Sequence, residues 1–484
     1  MTRRREYFRI TKFARRYDRQ TGNFTFNIAY ETATAITQRT ISVAEAFGLG
    51  IDQQQKFVLY DNVELKISPQ DVVYITGDSG SGKSVLLKAI KHDLGEEATD
   101  IADLSIEQEK PLIDTVGKTF NEALELLSKV GLNDAFLFLR RYSELSDGQK
   151  YRYRIAKLVE SGKKWWIIDE FCSLLDRDTA KIVAFNLQKI ARQMGKAVIV
   201  ATTHVDLFGD LEPSVHIHKR FGKEITVSYY PNVPAEECSL IKEMVIKTGD
   251  RRDWLKLASF HYRSHTVGAV RKIFCLWREN ELCGVIVYCY PPPNCFGRGK
   301  VLPRMGIREL NEKLSIIARV VVHPKYRTVG LGAKLVRETL PLAGTAFVEM
   351  VAVMAKYNPF AEKAGMQKIA EQPQTKEVSR ISEVLTRLGF NLQLLGSERY
   401  VNEKVETLTT KQLSVLKKVF IENGHPRFMK EFEGCRQAAY GRKPDYVSGI
   451  KTAGISKMAK LIKIVGVLLQ TKVYLFWRNQ TAEL

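Results

Sequence analysis

Two short segments of the 484-residue chain carry side chains suited to phosphoryl transfer. In the first, residues 77–84 read Gly-Asp-Ser-Gly-Ser-Gly-Lys-Ser, after a β-branched run and before a segment with helical spacing. Glycines allow backbone N–H groups to turn inward around a phosphate, and a following helix adds its positive dipole end. We expect Lys83 to reach the β- and γ-phosphates of ATP and Ser84 to ligate Mg²⁺. The glycines assigned to the phosphates are Gly77, Gly80 and Gly82.

The second segment is an apolar strand that ends in two carboxylates. Residues 165–168 read Trp-Trp-Ile-Ile, and Asp169 and Glu170 follow directly. In-line phosphoryl transfer depends on positioning the metal and the attacking water more than on covalent chemistry. We expect Asp169 to hold Mg²⁺ and Glu170 to orient and polarise the water. Carboxylates often terminate strands, so the prediction of an ATP-hydrolysing site depends on the two segments together.

A third segment, residues 145–149, reads Leu-Ser-Asp-Gly-Gln and resembles the signature of ABC ATPases, usually written LSGGQ, with Asp147 in place of its first glycine. The resemblance implies an α/β P-loop NTPase fold with the other ABC elements in order along the chain. It assigns nucleotide contacts or catalytic roles to Ser146, Gly148, Gln149, the Q-loop Gln108 (also a ligand of Mg²⁺), the D-loop Asp176, the switch His204, and Phe47, which would stack on adenine, with Tyr60 as the alternative.

The same resemblance predicts how the chain assembles. In ABC ATPases the signature of one subunit closes over the nucleotide of the other. One set of motifs per chain therefore implies a homodimer with two composite ATP sites. Nucleotide binding would close this dimer and hydrolysis would open it.

A second domain is expected after Pro231-Asn-Val-Pro234, where the composition shifts. Within it, alternating apolar residues predict a hairpin of two strands, 272–276 and 283–290. Residues 315–336 resemble motif A of the GNAT acyltransferases, a strand, a turn and a helix, and residues 358–366 resemble a second GNAT motif. The resemblance implies that backbone amides of the turn hold the pyrophosphate of an acyl-CoA. The residues assigned to acetyl-CoA, or another acyl-CoA, are Val320, Val322, Arg327, Gly330, Gly332, Ala333 and Asn358.

Acyl transfer also needs groups that move protons. Where many GNAT enzymes place a tyrosine that protonates the departing thiolate, this chain has Ala361. Tyr357, one helical turn earlier, or bulk water would take that role. Glu349 and His323 are the candidate general bases, and each is also compatible with a purely structural role. Residues 261–265 faintly resemble Mom-type GNAT relatives that modify adenine in DNA, and an ordinary polar loop is the alternative.

The order of these motifs defines the expected architecture. It resembles a family of archaeal, bacterial and phage proteins described as ABC-type ATPases fused to a predicted acetyltransferase domain, and the resemblance covers about residues 40–370. The predicted fold class is α/β, with an ABC-type P-loop NTPase domain followed by a GNAT acyltransferase α+β domain and a basic helical C-terminal region. The predicted segments are a basic extension at 1–40, the ATPase at 41–232, the GNAT-like domain at 235–375 and the helical region at 376–484.

The charge distribution bears on partners. The net charge is +20, and basic residues concentrate within 1–20 and 436–478, with aromatic side chains among them. Such surfaces attract phosphate backbones, and aromatic rings stack on bases. We therefore expect contact with DNA or RNA. A solvated basic surface, or incidental contact with RNA or anionic lipid, is the alternative.

Cysteine usage and hydropathy bear on compartment. The seven cysteines are scattered and form no CxxC pair, which is typical of reduced thiols in a cytoplasmic protein and predicts no zinc framework. The chain has no run of about 18 uncharged apolar residues, so no membrane span is predicted and transport is disfavoured.

Three functions are consistent with this pattern. The leading hypothesis is an ATP-gated acyltransferase that modifies a nucleic acid, as a base or an amine, or a substrate bound to one. The second is a nucleic-acid-binding ATPase switch whose GNAT-like part binds acyl-CoA without catalysis. The third is an acetyltransferase for protein or tRNA amines, which differs from the first only in its acceptor.

Overall fold

The structure is a computed structural model and describes residues 8–32, 36–49, 56–132, 134–261, 267–353, 355, 358–372, 375–432 and 443–480. The chain divides into two compact units. The first unit comprises Met1–His265, Ile273–Val285 and Val320–Leu335. The second unit comprises Thr266–Lys272, Ile286–Arg319 and Val336–Leu484.

The first unit begins with an antiparallel three-stranded sheet in the order β1-β2-β3, formed by β1 (Phe8–Asp18), β2 (Asn23–Thr32) and β3 (Lys56–Lys66). Alternate apolar side chains of β2, Phe24, Phe26 and Ile28, are buried. This alternation is what a strand with one face on the core requires. The predicted boundary at residue 40 falls between β2 and β3, which pair with each other in the same sheet as β1.

A six-stranded sheet forms the centre of the first unit. Its strands are β4 (Val72–Gly77), β5 (Ala98–Asp100), β6 (Trp165–Ile168), β7 (Ala197–Ala201), β8 (Val215–Lys219) and β9 (Ile225–Tyr229). They follow the order β5-β6-β7-β4-β8-β9, and all neighbours are parallel except β8 and β9. Every residue of β4, β6 and β7 is buried, as expected of parallel strands covered on both faces.

Helices of the first unit follow these strands along the chain. Several begin at a side chain that caps free backbone N–H groups, as Ser146 and Asp176 do. The helices are α1 (Gln38–Phe47), α2 (Lys83–Leu94), α3 (Leu112–Thr115), α4 (Phe120–Lys129), α5 (Ala135–Phe138), α6 (Asp147–Glu160), α7 (Arg177–Met194), α8 (Phe208–Leu211), α9 (Ser239–Lys242) and α10 (Arg251–Ala258).

The later part of the chain forms a seven-stranded sheet. Its strands are β10 (Met244–Thr248), β11 (Val270–Arg278), β12 (Glu281–Cys289), β13 (Leu314–Val322), β14 (Phe347–Ala352), β15 (Gln367–Gln372) and β16 (Lys472–Arg478). The strand order is β10-β11-β12-β13-β14-β16-β15. The predicted hairpin is confirmed as β11 and β12. The strands β11, β12 and β13 contribute residues to both units.

Within the second unit, β13 and β14 are parallel and pair over three positions, from Leu314 with Phe347 to Ile316 with Glu349. The strand β16 lies between β14 and β15 and is antiparallel to both. The region predicted to be helical, 376–484, contains the helices α14 to α19 and also β16, which belongs to this sheet. The intervening helices pack around a buried apolar cluster that includes Leu385 and Phe420.

The remaining helices belong to this later part of the chain. They are α11 (Ile307–Lys313), α12 (Leu331–Thr339), α13 (Phe360–Lys363), α14 (Lys376–Arg387), α15 (Glu398–Glu406), α16 (Thr410–Glu422), α17 (Pro426–Met429), α18 (Lys443–Thr452) and α19 (Ile455–Leu468). Among the described residues, none of the helices combines the length and the apolar character needed to cross a bilayer.

Candidate functional site

The turn between β4 and α2 has a backbone that depends on glycine. Gly77, Gly80 and Gly82 all have positive φ, at 139°, 75° and 102°. A Cβ atom at Gly77 would lie 1.9 Å from the backbone oxygen of Lys219. Side chains larger than hydrogen therefore do not fit at this position, and the loop keeps its close approach to β8 only with glycine.

Lys83 begins α2 and folds back over this turn. It is 9% exposed, and its Nζ donates hydrogen bonds to the backbone oxygens of Gly77 (2.7 Å) and Asp78 (2.6 Å). Burial lowers the pKa of Lys83, and the charges of Asp169 and Asp78 oppose that shift. The ammonium is thus held directly over the loop, where a β- or γ-phosphate would need a positive charge.

The two carboxylates follow β6 at the same end of the central sheet. Asp169 is half-buried and its Oδ1 accepts a hydrogen bond of 2.9 Å from the backbone N–H of Glu170. Glu170 is exposed and has φ +49°, a left-handed conformation that non-glycine residues rarely adopt. Backbone strain of this kind concentrates at functional sites.

These groups share one cavity of about 870 Å³. Its lining combines the glycine turn with Lys83 and Ser84, the carboxylates Asp169 and Glu170, and three aromatic rings. The lining residues are Tyr30, Phe57, Val58, Leu59, Ser79, Gly80, Gly82, Lys83, Ser84, Val85, Asp169, Glu170, Ser173, Ala201, Thr202, Thr203, Phe221 and Gly222.

The two aromatic residues predicted to contact adenine, Phe47 and Tyr60, are not among the residues that line this cavity. Phe47 is 76% exposed at the end of α1 and is not among the lining residues. Tyr60, the alternative, is fully buried, and its hydroxyl donates to the backbone oxygen of Gly82 at 3.0 Å, so it supports the turn from below. The rings that do line the cavity are Tyr30, Phe57 and Phe221. Sequence reasoning missed them because they reach the turn only after β2, β3 and β8 have paired.

The signature residues form the start of α6. The Ser146 side chain accepts from the N–H of Gln149, and Gln149 Oε1 accepts from the N–H of Ser146 at 3.0 Å. This capping box leaves Ser146 exposed and Gly148 and Gln149 half-buried. None of the three lines the cavity of its own chain.

The other elements predicted to contact nucleotide differ in position. Gln108 is exposed and is not a lining residue, so the structure does not bring it to the cavity. His204 is half-buried directly after the lining residues Thr202 and Thr203. Asp176 is exposed and caps α7, and its Oδ1 accepts from the N–H of Thr179 at 3.1 Å.

The predicted acyl-CoA turn lies between β13 and α12. Val320 and Val322 are half-buried at the end of β13, and Arg327 donates from Nε to the oxygen of Val322 at 3.0 Å. Gly330 has φ +96° and Thr328 has φ +77°. Positive φ at a β-branched residue is a genuine outlier. Gly332 and Ala333 lie in the first turn of α12 and are half-buried.

Of the two candidate bases, His323 lies at this turn. Its Nδ1 accepts from the N–H of Lys325 at 3.4 Å, and its ring packs edge-on against Phe260 with centroids 5.0 Å apart. Burial lowers the pKa of His323, which keeps the imidazole neutral near pH 7. A neutral imidazole is the form that accepts a proton.

Glu349, the other candidate base, has a different environment. It is 0% exposed, and Arg298 donates to it from Nη2 (2.6 Å) and Nε (3.0 Å). The Tyr474 hydroxyl donates to Glu349 Oε2 at 2.9 Å. Both carboxylate oxygens accept hydrogen bonds inside the second unit, which agrees with the structural role that the sequence left open for Glu349.

The same arginine anchors the loop over residues 291–298, which contains three consecutive prolines. Arg298 Nη1 donates to the backbone oxygens of Pro292 and Pro293, both at 2.9 Å. The loop is therefore anchored at one end to a buried carboxylate. Asn358 is exposed, while Tyr357 and residues 262–265 lie outside the described part of the chain.

The parallel sheet, the glycine turn, and Lys83, Asp169 and Glu170 in one cavity define a P-loop nucleotide-binding domain. Residues 60–173 match the family described as ABC transporter. A methionine import ATP-binding protein of Oceanobacillus iheyensis is 26% identical over 33% of this chain and 57% of its own length. A cytochrome c biogenesis ATP-binding export protein of Gluconobacter oxydans is 30% identical over 31% of this chain and 76% of its own length.

The chain therefore belongs to the ABC transporter family of ATPases, and residues 60–173 lie in its ATP-binding domain. It spans 57% and 59% of two methionine import relatives, a little over half of their length. Among solved structures, a dimeric ATP-binding cassette in a post-hydrolysis state with ADP and phosphate is 19% identical. The match covers 36% of this chain and 92% of the cassette, with a TM-score of 0.30.

Proposed function

We propose that this protein hydrolyses Mg²⁺-ATP in a homodimer and couples the cycle to an acyl-CoA-dependent transfer onto a nucleic acid or a substrate bound to one. The observation that carries the ATPase part is the shared cavity of Lys83, Ser84, Asp169 and Glu170. Lys83 would neutralise the β- and γ-phosphates, Ser84 and Asp169 would hold Mg²⁺, and Glu170 would orient the attacking water. Mg²⁺ supplies charge stabilisation of the transferring phosphoryl group when bound.

The exposure of the signature supports composite sites. Ser146 lies on the surface at the N-terminus of α6 and outside its own chain's cavity. A helix N-terminus with exposed N–H groups favours a phosphate of a second molecule. We propose that Ser146, Gly148 and Gln149 close over the nucleotide held by the partner subunit, with Asp176 at the same interface.

The ATPase proposal is tested with Glu170→Gln. Removal of the base is expected to lower the hydrolysis rate at least about 100-fold while ATP binding persists. Phosphate release and fluorescent-ATP binding measure the two quantities separately. Hydrolysis at the wild-type rate in this variant would remove Glu170 from the proposed mechanism.

For the acyl-CoA part, the support comes from the turn after β13. The first N–H groups of a helix have no intrahelical acceptor, so those at the start of α12 are suited to a pyrophosphate. Gly330, Gly332 and Ala333 keep this helix start free of bulky side chains. An acyl-CoA would supply the activated acyl group as its thioester and would leave as the free coenzyme A thiol. His323, half-buried and neutral, would take the proton of the acceptor.

A nucleic-acid acceptor is proposed from charge. The net charge of +20 favours phosphate backbones regardless of sequence. A base inside a duplex must be unstacked before chemistry, at a cost of a few kcal/mol, and an ATP-driven dimer can help to supply that energy. Amines of protein or tRNA are the alternative acceptors.

The second candidate function is an ATPase switch whose acyl-CoA part binds without catalysis. The occupied carboxylate of Glu349 favours it, because one of the two candidate bases is then removed. Ala361, which replaces the tyrosine expected of GNAT enzymes, favours it as well.

One assay separates these functions. Coenzyme A carrying a radiolabelled acetyl group is incubated with the protein, Mg²⁺-ATP and a mixture of duplex DNA, tRNA and cell protein, and the products are digested with nuclease or protease. Label in nucleosides that is lost in Glu170→Gln supports the leading proposal. Label only in protein moves the acceptor to an amine. No label, with hydrolysis stimulated by DNA or RNA, overturns acyl transfer and favours the switch.

A further inference from the structure

The helix α7 contacts the turn that follows β13 through a charged cluster. Asp178, in the first turn of α7, lies 2.6 Å from Lys325 Nζ and 2.8 Å from Arg278 Nη1 through its Oδ2. Tyr326 is fully buried beside it and donates its hydroxyl to Glu281 at 2.7 Å. All of these residues belong to the first unit. The carboxylate of Asp178 therefore fixes the Lys325 side of the turn to α7.

A second contact lies two helical turns further along α7. Asn186 is buried, and its Nδ2 donates to the Thr328 hydroxyl at 2.9 Å. Thr328 is the residue with φ +77°. A β-branched residue keeps such a conformation only when its surroundings over-determine it. Asn186 is one of the groups that hold this conformation, so the shape of the turn depends on the position of α7.

The start of α7 connects these contacts to the ATP-binding domain. Asp176, which caps α7, is the D-loop residue expected at the dimer interface, and Asp178 follows two positions later. Lys325 Nζ also lies 3.8 Å from Asp176 Oδ1. A shift of the D-loop must therefore move the cap, the Asp178 carboxylate and the Lys325 ammonium together.

We propose that α7 is the coupling element of this protein: nucleotide-driven movement of the D-loop changes the shape of the 325–328 turn and thereby its affinity for the pyrophosphate of coenzyme A. This inference rests on the proposed function, since it assumes that the turn binds coenzyme A. Asp178 and Asn186 act as positioning residues that transmit the change and do not contact the ligand themselves.

Thermodynamic linkage between the two sites determines how much ATP and coenzyme A change each other's affinity, and requires that the two changes be equal. Two sites that share one two-state element typically change each other's affinity about 5- to 150-fold. The same factor must appear in both directions, because the coupling free energy is reciprocal. Mg²⁺-ATP should thus change the affinity for coenzyme A as much as coenzyme A changes the affinity for ATP.

The test measures binding, without turnover, in full-length protein carrying Glu170→Gln. Titration calorimetry gives the Kd of coenzyme A with and without saturating Mg²⁺-ATP, and a fluorescent ATP analogue gives the reverse effect. A change of at least about fivefold in both directions is expected. Equal Kd values with and without ATP would overturn the coupling.

Variants then assign the effect to α7. Asp178→Asn and Asn186→Leu, each added to the same background, should bring the ratio of the two Kd values close to one. Glu243→Gln is the matched control, because Glu243 binds the same arginine, with its Oε2 2.6 Å from Arg278 Nε, but does not contact the turn. A ratio that stays at the parental value in both α7 variants would overturn the role of this helix.

A further control distinguishes a failure of the coupling from a failure of the coenzyme A site itself. Gly330→Trp places a bulky side chain at the turn and should abolish coenzyme A binding. If coenzyme A binds wild type and Gly330→Trp equally, the proposed acyl-CoA site itself fails. If only wild type binds it, and with the same Kd in both nucleotide states, the site stands and the coupling fails.

Discussion

Two of the turns in the described chain that join a strand to a helix and contain positive φ, at 77–82 and 325–330, keep their shape in different ways. The turn at 77–82 relies on glycines and on its own chain neighbours, with Lys83 bonded to Gly77 and Asp78. The turn at 325–330 contains only one glycine with positive φ, Gly330, and is held by side chains from elsewhere in the sequence.

This difference indicates how the shape of each turn depends on the position of other elements. The shape of the turn at 77–82 comes mainly from glycine backbone conformations, and Tyr60 is hydrogen-bonded to it at Gly82. A turn held by α7 can follow the position of that helix, at the cost of strain at Thr328. The two halves also differ in their carboxylates: Glu170 is exposed at a cavity, whereas Glu349 is buried in an ion pair.

The largest predicted effect contrasts these two carboxylates. Glu349→Gln leaves the Arg298 guanidinium buried without its counter-charge, and we expect a loss of about 3–5 kcal/mol in unfolding free energy. Glu170→Gln should change stability by less than about 0.5 kcal/mol, as exposed substitutions do. Urea denaturation of both variants measures the contrast. Equal stability of the two would contradict the assigned burial.

The next prediction compares the two glycines. Gly77→Ala adds a Cβ atom 1.9 Å from the Lys219 oxygen as well as strain at φ 139°, and should cost roughly 3 kcal/mol or more. Gly330→Ala meets nothing within 4 Å, so only its φ of 96° opposes it and about 1–2 kcal/mol is expected. Thermal unfolding of the pair measures this difference. A larger loss at Gly330 would reverse the comparison.

A smaller effect distinguishes the aromatic residues. Phe221→Ala removes a ring that lines the cavity, and a lost stacking contact of about 1 kcal/mol corresponds to roughly fivefold weaker ATP binding. Phe47→Ala is the matched control and should leave the Kd unchanged. Fluorescent-ATP titration reports both. If only the Phe47 variant binds ATP more weakly, Phe47 and not Phe221 would be the residue that stacks on adenine.

The smallest predicted effect is a loss of unfolding free energy at acid pH, caused by His216 close to the turn at 77–82. The Thr76 hydroxyl lies 2.9 Å from His216 Nε2 and 3.0 Å from His218 Nδ1, and burial followed by the charge of His218 lowers the pKa of His216. The unfolded chain then binds the proton more readily, so stability is complete above about pH 6.5 and falls as the pH drops below it. His216→Gln should flatten that acid side in urea titrations at several pH values. An unchanged slope would exclude His216 as its source.

The sequence predicted the first turn well because its geometry is local. The spacing of Gly77, Gly80, Gly82 and Lys83 specifies both the backbone and the ligand, and the cavity includes all but Gly77. Phe221, by contrast, reaches the nucleotide cavity only through the pairing of β8 with β4. No spacing rule connects it to the turn.

The later part of the chain was less predictable for the same reason. The ion pair of Glu349 joins residues 51 positions apart, and its bond to Tyr474 joins residues 125 apart. The strand β16 is separated from its partner β14 by the helices α14 to α19, so its membership of the sheet has no local signal. The contacts of Asp178 and Asn186 with the 325–328 turn are equally non-local.

Subunit mixing tests the central claim of composite ATP sites most directly. Lys83→Ala removes the phosphate-binding lysine, and Ser146→Asp keeps the helix cap but repels a partner's phosphate. Each variant alone should be inactive, whereas an equal mixture should regain about a quarter of wild-type hydrolysis, because half of the dimers are mixed and each has one intact site. A mixture as inactive as its parents, or full activity of Ser146→Asp alone, would contradict the account.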